Sequence, residues 1–396
     1  MAFQVSPGVL VQERDLTNVI PAVATTIGAV AGQFSQGPMD EVTSISSEKE
    51  LVETFGKPDS TTFEYFFSAA SFLQYSSSLR VVRAANSGSV NAVVSGTALQ
   101  IKNTDHYQNG DGSTGPYNTG SANVGEWAAR TAGAWGNSLQ VSVCPSATAY
   151  EETNKTTTND SSIAIGDTTL TLTSGTDFNV GDIINFGETG GHEYRITAVS
   201  SNDITFVRHP SGTGGLHTAL AGGTQVRRRW RYYDLVDKAP GTSTYTSTRS
   251  GANDEMHIVV IDEDGGITGT AGEVLEVYDS VSKASDAKTA QGDSNYYADV
   301  IYNRSQYIYW MDHNTGGSNW GSTASGTTFT AVDTPFVDSL VSGADGSAVT
   351  TAEMKTAYEK FADGDTLDVN LIIAGKGDAT HIDNLITIAE NYYTDK

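Results

Sequence analysis

Hydrophobic and polar positions change period several times along this chain, and each change marks an element. Ile27 to Phe34 is a run of small and apolar residues, the pattern of a strand covered on both faces. Ser47 and Glu50 stand in capping-box register, and Gly56 sits where the left-handed residue after a short helix belongs. Thr61 and Glu64 repeat the cap signal. Behind them Phe63, Phe66, Phe67, Ala70 and Leu73 share one helical face, which predicts a core stripe. Leu79 to Ala84 then reads as a strand.

The far end of the chain uses the same grammar. Thr350 and Glu353 cap a helix that places Met354, Ala357, Tyr358 and Phe361 on one face. The apolar run Val369 to Ala374 suits a buried strand. Gly375 and Gly377 make a turn, and a last helix is expected to bury Ile382, Leu385, Ile386 and Ala389. A strand–helix unit normally leads into another strand, and none follows before Lys396, so the chain reads as ending in mid-domain.

Between these ends the period shortens to that of strands. Thr168–Thr173, Asn179–Ile184, Glu193–Val199, Ile204–Val207 and Gln225–Tyr233 recur at about ten-residue spacing, the rhythm of a small barrel or sandwich. Thr/Asn/Ser-rich 153–162 and Thr/Ser-rich 241–250 resemble the flexible flanks of an inserted domain. Ser138–Val143 and His257–Ile261 lie either side of it and are expected to share a sheet. The fold class is therefore α+β and multidomain. An arm occupies 1–20, and an α/β core domain is built from both ends (21–86 with 347–396). A middle α+β domain spans 87–145 with 251–346, and the inserted β domain spans 146–250.

The arm has two extended pieces, Phe3–Val5 and Val9–Val11, around the turn pair Pro7 and Gly8, with Glu13 following. Nothing in it can bury itself as a helix. An isolated terminal strand is usually frayed, so pattern alone gives it no task.

Composition narrows the function. The chain of 396 residues carries 23 Lys+Arg against 47 Asp+Glu, a net charge of −24 that repels phosphate and argues against coating nucleic acid. With 38% apolar residues it is not a disordered chain. Cys144 has no partner in the sequence, which excludes an internal disulfide. The N-terminal residues Met1 to Gly8 have neither a basic nor an apolar leader region and do not read as a secretory signal. The stretch Val19 to Gly32 falls short of the ~20 apolar residues that span a bilayer, so the chain reads as soluble and made in a reducing compartment.

Candidate chemistry fails motif by motif. Gly375, Lys376 and Gly377 lack the Ser or Thr that a phosphate loop needs for magnesium. His192 and Glu193 have no second His one helical turn on, and the remaining histidines are scattered. Asp262 to Gly266 is like a calcium loop but lacks its third acidic ligand and distal glutamate. No nucleophile elbow surrounds a serine. No catalytic, cofactor-binding or metal residue is assigned, and the chain is not read as an enzyme. One basic cluster stands out, Arg227, Arg228, Arg229 and Arg231. In a strand Arg227, Arg229 and Arg231 face opposite Arg228 and Trp230. Against so acidic a chain it reads as a charge-pairing surface, toward this chain's own carboxylates or a copy's.

Several segments together resemble the contractile tail sheath proteins of bacteriophages, most closely those of T4-like myoviruses. They are Ser6–Glu13, Gly32–Phe34, Gly37–Pro38, Leu51–Gly56, Ala69–Tyr75, Leu79–Arg83, Gly133–Leu139, Asp262–Gly269, Val274–Glu276, Gly343–Gly346 and Asp368–Ala374. The resemblance runs almost the whole length except 150–240. It implies a structural subunit, stacked as hexameric rings around a tail tube, whose contraction drives the tube through the host envelope. It implies no cofactor, membrane insertion or direct nucleic-acid contact. Its partners would be further copies, the tube protein, and the baseplate and tail terminator proteins, in a virion tail assembled in host cytoplasm. The arm residues Phe3, Val5, Pro7, Gly8, Val9, Val11 and Glu13 would add a strand to a neighbour's sheet. Family chains run well past the equivalent of Lys396, so this one would lack their C-terminal part. The inserted domain is expected on the exterior. The alternative readings are a glycan-binding adhesion module of a tail or injection system and, more remotely, a tail-associated hydrolase.

Overall fold

The computed structural model describes residues 26–393. The chain is a mixed α+β protein with several sheets, and it divides into two compact units. Among the described residues, the first takes 26–34, Asp40–Ala84 and 349–393; the second takes Ser35–Met39 and Ala85–Ala348. The arm residues lie outside the described residues.

In the first unit a four-stranded sheet runs in the order Leu371–Ile373, Gly28–Gly32, Leu79–Arg83, Thr43–Ile45. The first three strands are parallel and the last is antiparallel. Gly28–Gly32 is buried along its whole length, and the helices Phe63–Leu73 and Thr351–Glu359 both pack on it. The strand's lack of bulk is what lets the first helix approach. A Cβ on Gly32 would lie 2.6 Å from the Tyr65 Cβ, and one on Gly28 would lie 2.7 Å from the Phe72 ring. Neither glycine has a positive φ, so space is the requirement here and not backbone freedom.

That approach corrects the aromatic stripe. The buried face of Phe63–Leu73 is Tyr65, Phe66, Ala69 and Ala70, whereas Phe63 and Phe67 are 46% and 54% exposed. Seating Tyr65 over Gly32 turns the helix away from the face that counting apolar residues selects. The Thr61–Glu64 cap also fails to form. Thr62 is the N-cap and makes no side-chain cap bond, because its hydroxyl is taken by Asp59, accepting from Asp59 N at 2.9 Å and donating to the Asp59 carboxylate at 3.1 Å. The Thr350–Glu353 box is complete, and the face behind it buries Met354, Ala357 and Tyr358. On the last helix, Ala379–Tyr392, His381, Leu385 and Ile388 are buried, while Ile382, Ile386 and Ala389 are exposed. The run expected to be a buried strand forms only Leu371–Ile373, at the sheet's edge.

The second unit contains a four-stranded antiparallel sheet in the order Glu273–Ser282, Glu255–Asp262, Leu139–Cys144, Phe336–Ser339. Every residue of Glu255–Asp262 is buried. A six-stranded antiparallel sheet follows the order Glu151–Thr157, Gln225–Arg229, Ile183–Asn185, Glu193–Ser200, Asp203–His209, Thr169–Thr171. Its two ends meet. Thr158 bridges Leu172, Thr173 N donates to Thr157 O at 2.8 Å and Asn159 N to Thr171 O at 2.8 Å, closing the sheet into a barrel around Tyr194, Ile196, Ile204, Phe206 and Val226. The segments that resemble flexible flanks are structured. Glu151–Thr157 is a barrel strand, since a closed sheet needs its sixth strand, and Thr244–Ser247 is a helical turn capped by Ser243. Among the described residues, no helix is long and apolar enough to cross a membrane.

Gly32→Val is expected to destabilise the first unit by about 1–3 kcal/mol, the usual cost of overpacking. Thermal unfolding followed by circular dichroism checks this, and an unchanged midpoint would show that the helix does not rest on the strand as described.

Candidate functional site

The loop after Glu255–Asp262 is closed by its own amides. The Asp262 carboxylate accepts from Gly265 N, Ile267 N, Thr268 N and the Thr268 hydroxyl at 3.1, 3.1, 2.6 and 2.8 Å, and Asp264 accepts from Gly266 N and the Ser138 hydroxyl. These carboxylates organise a turn. Among the described residues, no group of three or more His, Cys, Asp or Glu is placed to hold a metal. Cys144 is buried, and loss of solvation pushes its thiol far above the reactive range. His192 and His217 stack at 3.8 Å, while His106, His257 and His381 are buried.

The arginine cluster does three different jobs. Gln225–Arg229 is the second strand of the barrel, and its alternation sends Arg228 inward. Arg228 is 1% exposed. Its guanidinium donates to Asp177 O and Asp333 O, both at 2.8 Å, and to Thr148 O at 3.4 Å. It thus ties the barrel wall to loops on either side and offers nothing to another molecule, so Arg228 is struck from the surface cluster. Arg229 faces outward but pairs with Glu193 at 2.9 Å and Glu151 at 3.4 Å. Arg231 lies beyond the strand, its guanidinium over the Tyr232 ring at 5.0 Å. Arg227 is exposed, and no ion pair to it is found among the described residues. The structure adds Arg195, which the sequence did not single out. It sits across Ile183 from Arg229, on the same outer face. Only strand pairing could have brought the two together.

Burial shifts three ionisable groups of the second unit toward neutrality. Lys283 is wholly buried, and its ammonium donates to the carbonyls of Pro145, Asn253 and Glu255 at 2.6, 2.9 and 3.2 Å. Burial lowers its pKa to about 8. Asp182 accepts from Asn179 N at 2.9 Å, yet burial raises it to about 7. Asp338 reaches about 7 through burial and the neighbouring Glu126.

The first unit presents the clearest open surface. Leu371–Ile373 pairs only with Gly28–Val30 and ends the sheet, so its other edge carries backbone groups without a ladder among the described residues. On this strand Leu371 is 47% exposed, and elsewhere in the unit, on the helix that follows, Ile382 and Ile386 are 39% and 49% exposed. An unpaired strand edge with adjacent apolar side chains can accept a further strand.

Comparison with known proteins identifies this architecture. The family model for the tail sheath protein Gp18 domain III N-terminal region matches residues 25–84. The tail sheath protein of Salmonella phage ViI is 27% identical over 340 residues, covering 78% of this chain and 49% of that one. Over most of its length the chain is similar to a bacteriophage tail sheath protein. The tail sheath protein of Enterobacteria phage T4 is 42% identical over 79 residues, which is 20% of this chain and 12% of its own length. The chain thus spans about half the length of the ViI protein. A solved sheath tail protein from Listeria innocua superposes with a TM-score of 0.38 at 10% identity, over 94% of this chain and 45% of that one.

The two raised carboxylates have a definite sign in this chain. Folded Asp182 and Asp338 hold protons that the unfolded chain, with ordinary pKa near 3.8, has already released. Their stabilisation is therefore present below that value's window and is lost as pH rises through about 7. Asp182→Asn with Asp338→Asn is expected to raise the unfolding temperature relative to the native chain at about pH 8. The difference should shrink toward about pH 5, where native Asp is itself neutral. A difference that does not vary with pH would show that neither carboxyl titrates in this range.

Proposed function

We propose that this chain is a structural subunit of a contractile phage tail sheath, polymerising as stacked hexameric rings around the tail tube and contracting to drive the tube through the host envelope. The observation that carries this reading is the 340-residue similarity to a tail sheath protein, which extends beyond the matched domain. Its partners are further copies, the tube protein, and the baseplate and terminator proteins at the two ends of the tail. It needs no cofactor. The tail is assembled in the host cytoplasm and carried in the virion, with the barrel on its exterior.

The arm residues Phe3, Val5, Pro7, Gly8, Val9, Val11 and Glu13 add a strand to a neighbouring copy. The open edge at Leu371–Ile373, with Leu371 half exposed on it, is the kind of surface such a strand requires. Each backbone hydrogen bond nets only ~0.5–1.5 kcal/mol, so one arm binds weakly. A lattice closes many such joints together, and avidity makes the mesh hard to break. Backbone pairing also tolerates rotation of the bodies it links, which interlocked side chains do not. A sheath of this kind hydrolyses no nucleotide, so the work of contraction is stored in the extended lattice as a kinetically trapped state.

Deleting residues 1–15 from the subunit in assembling tails is expected to abolish continuity between rings, seen by electron microscopy as short or fragmented sheaths. Tails that still contract as one unit after the deletion would overturn the arm's role, and absence of the protein from purified tails would overturn the sheath reading itself.

A further inference from the structure

We propose that the outer face of the barrel, through Arg227 and Arg195, docks on the acidic surface of a second copy of this chain. The inference rests on the sheath reading, under which copies stand side by side, and names a contact that the arm does not supply.

Charge is distributed unevenly along the sequence. Residues 151–231 hold seven Lys+Arg against nine Asp+Glu, a net −2, so the rest of the chain carries −22 of the total −24. Six of the chain's twelve arginines fall in this segment. The barrel is thus the one body that a strongly acidic copy does not repel in proportion to its size.

Strand register gathers the relevant cations. Arg229, Ile183 and Arg195 form one cross-strand row, and Arg228, Ile184 and Tyr194 form the next. The second row points into the barrel, where Ile184 and Tyr194 are 0% exposed. The rows on either side therefore point out, which puts Arg227, Arg229 and Arg195 on one face. Arg229 is neutralised by Glu193 and Glu151. Arg227 and Arg195 are exposed, and neither has an ion pair among the described residues. Beside Arg227 a cleft of about 80 Å³ is bounded by Asn185, Glu193, Arg229 and Glu151. Its two glutamates are both held by Arg229 and so do not pair with Arg227. Unpaired cations on a rigid sheet, facing a partner with a large excess of carboxylates, meet the condition for electrostatic docking. Guanidinium groups add bidentate geometry to the attraction.

Sedimentation velocity of the full chain tests this, in low salt and in high salt, with Arg195→Glu/Arg227→Glu and Arg195→Lys/Arg227→Lys beside it. The native chain is expected to self-associate in low salt and to dissociate in high salt. The Glu variant should associate roughly tenfold more weakly, while the Lys variant, which keeps the charge, stays near native. Circular dichroism should be native in both variants, because neither side chain has an ion pair among the described residues to lose. Equal association of the native and Glu proteins, or a native chain that stays monomeric at every salt concentration, would overturn the proposal. Either result would leave the sheath reading standing if the protein is present in purified tails.

Discussion

A central strand with almost no side chains holds the first unit together. Gly28–Gly32 pairs with Leu79–Arg83 on one side and with Leu371–Ile373 on the other, in register over more than 340 positions of intervening chain. Its small residues let Tyr65 and Phe72 lie directly on the backbone, and the facing helix supplies Met354, Ala357 and Tyr358 to the same core. Closing so long a loop costs entropy that grows only slowly with length, so the sheet can be assembled from distant segments provided the strand is well covered. Everything that makes the unit a candidate for assembly follows from this arrangement, including the position of the open edge.

The second unit is held by polar contacts placed where hydrophobic burial alone would leave orientation undefined. Arg228 bonds carbonyls from Thr148, Asp177 and Asp333, Trp230 donates to the Ser142 hydroxyl at 2.9 Å, and Asn179 donates to Pro335 O at 3.2 Å. Burying a guanidinium costs several kcal/mol unless its donors are met, and here three carbonyl oxygens meet the two terminal nitrogens while the Glu152 carboxylate stands 3.9 Å away. Lys283 follows the same rule with three carbonyls. The barrel is therefore joined to the adjoining sheet by directional bonds, and 151–157 serves as wall rather than tether.

For the proposed role in a sheath, this division is apt. Contacts inside each unit are dense and side-chain specific, whereas the surface offered to others is a strand edge and a charged face. Strand addition fixes register through the backbone and tolerates reorientation, while charge attraction acts over about a Debye length and depends little on exact fit. Both kinds of contact can persist while the bodies they link move.

Local pattern was legible in the sequence. Gly56 after the first helix, the Thr350–Glu353 box, the five strand segments of the barrel and the segments that resemble tail sheath proteins could all be read without coordinates, because caps and periodicity depend on neighbours within a few positions. Facing and pairing could not be read in the same way. Phe63 and Phe67 share a helical face with buried residues, but Gly32 decides which side of that helix meets the sheet. Ile382 and Ile386 look like core, yet their helix buries His381, Leu385 and Ile388 instead. Arg227, Arg228, Arg229 and Arg231 form one cluster in sequence and separate into an exposed cation, a buried tie, an internal ion pair and a cation over the Tyr232 ring once the barrel closes, while Arg195 joins them across strands. The sequence alone thus determined the elements and their order. Tertiary structure decided which of their faces were spent on the core, because that choice depends on contacts between residues far apart in the chain.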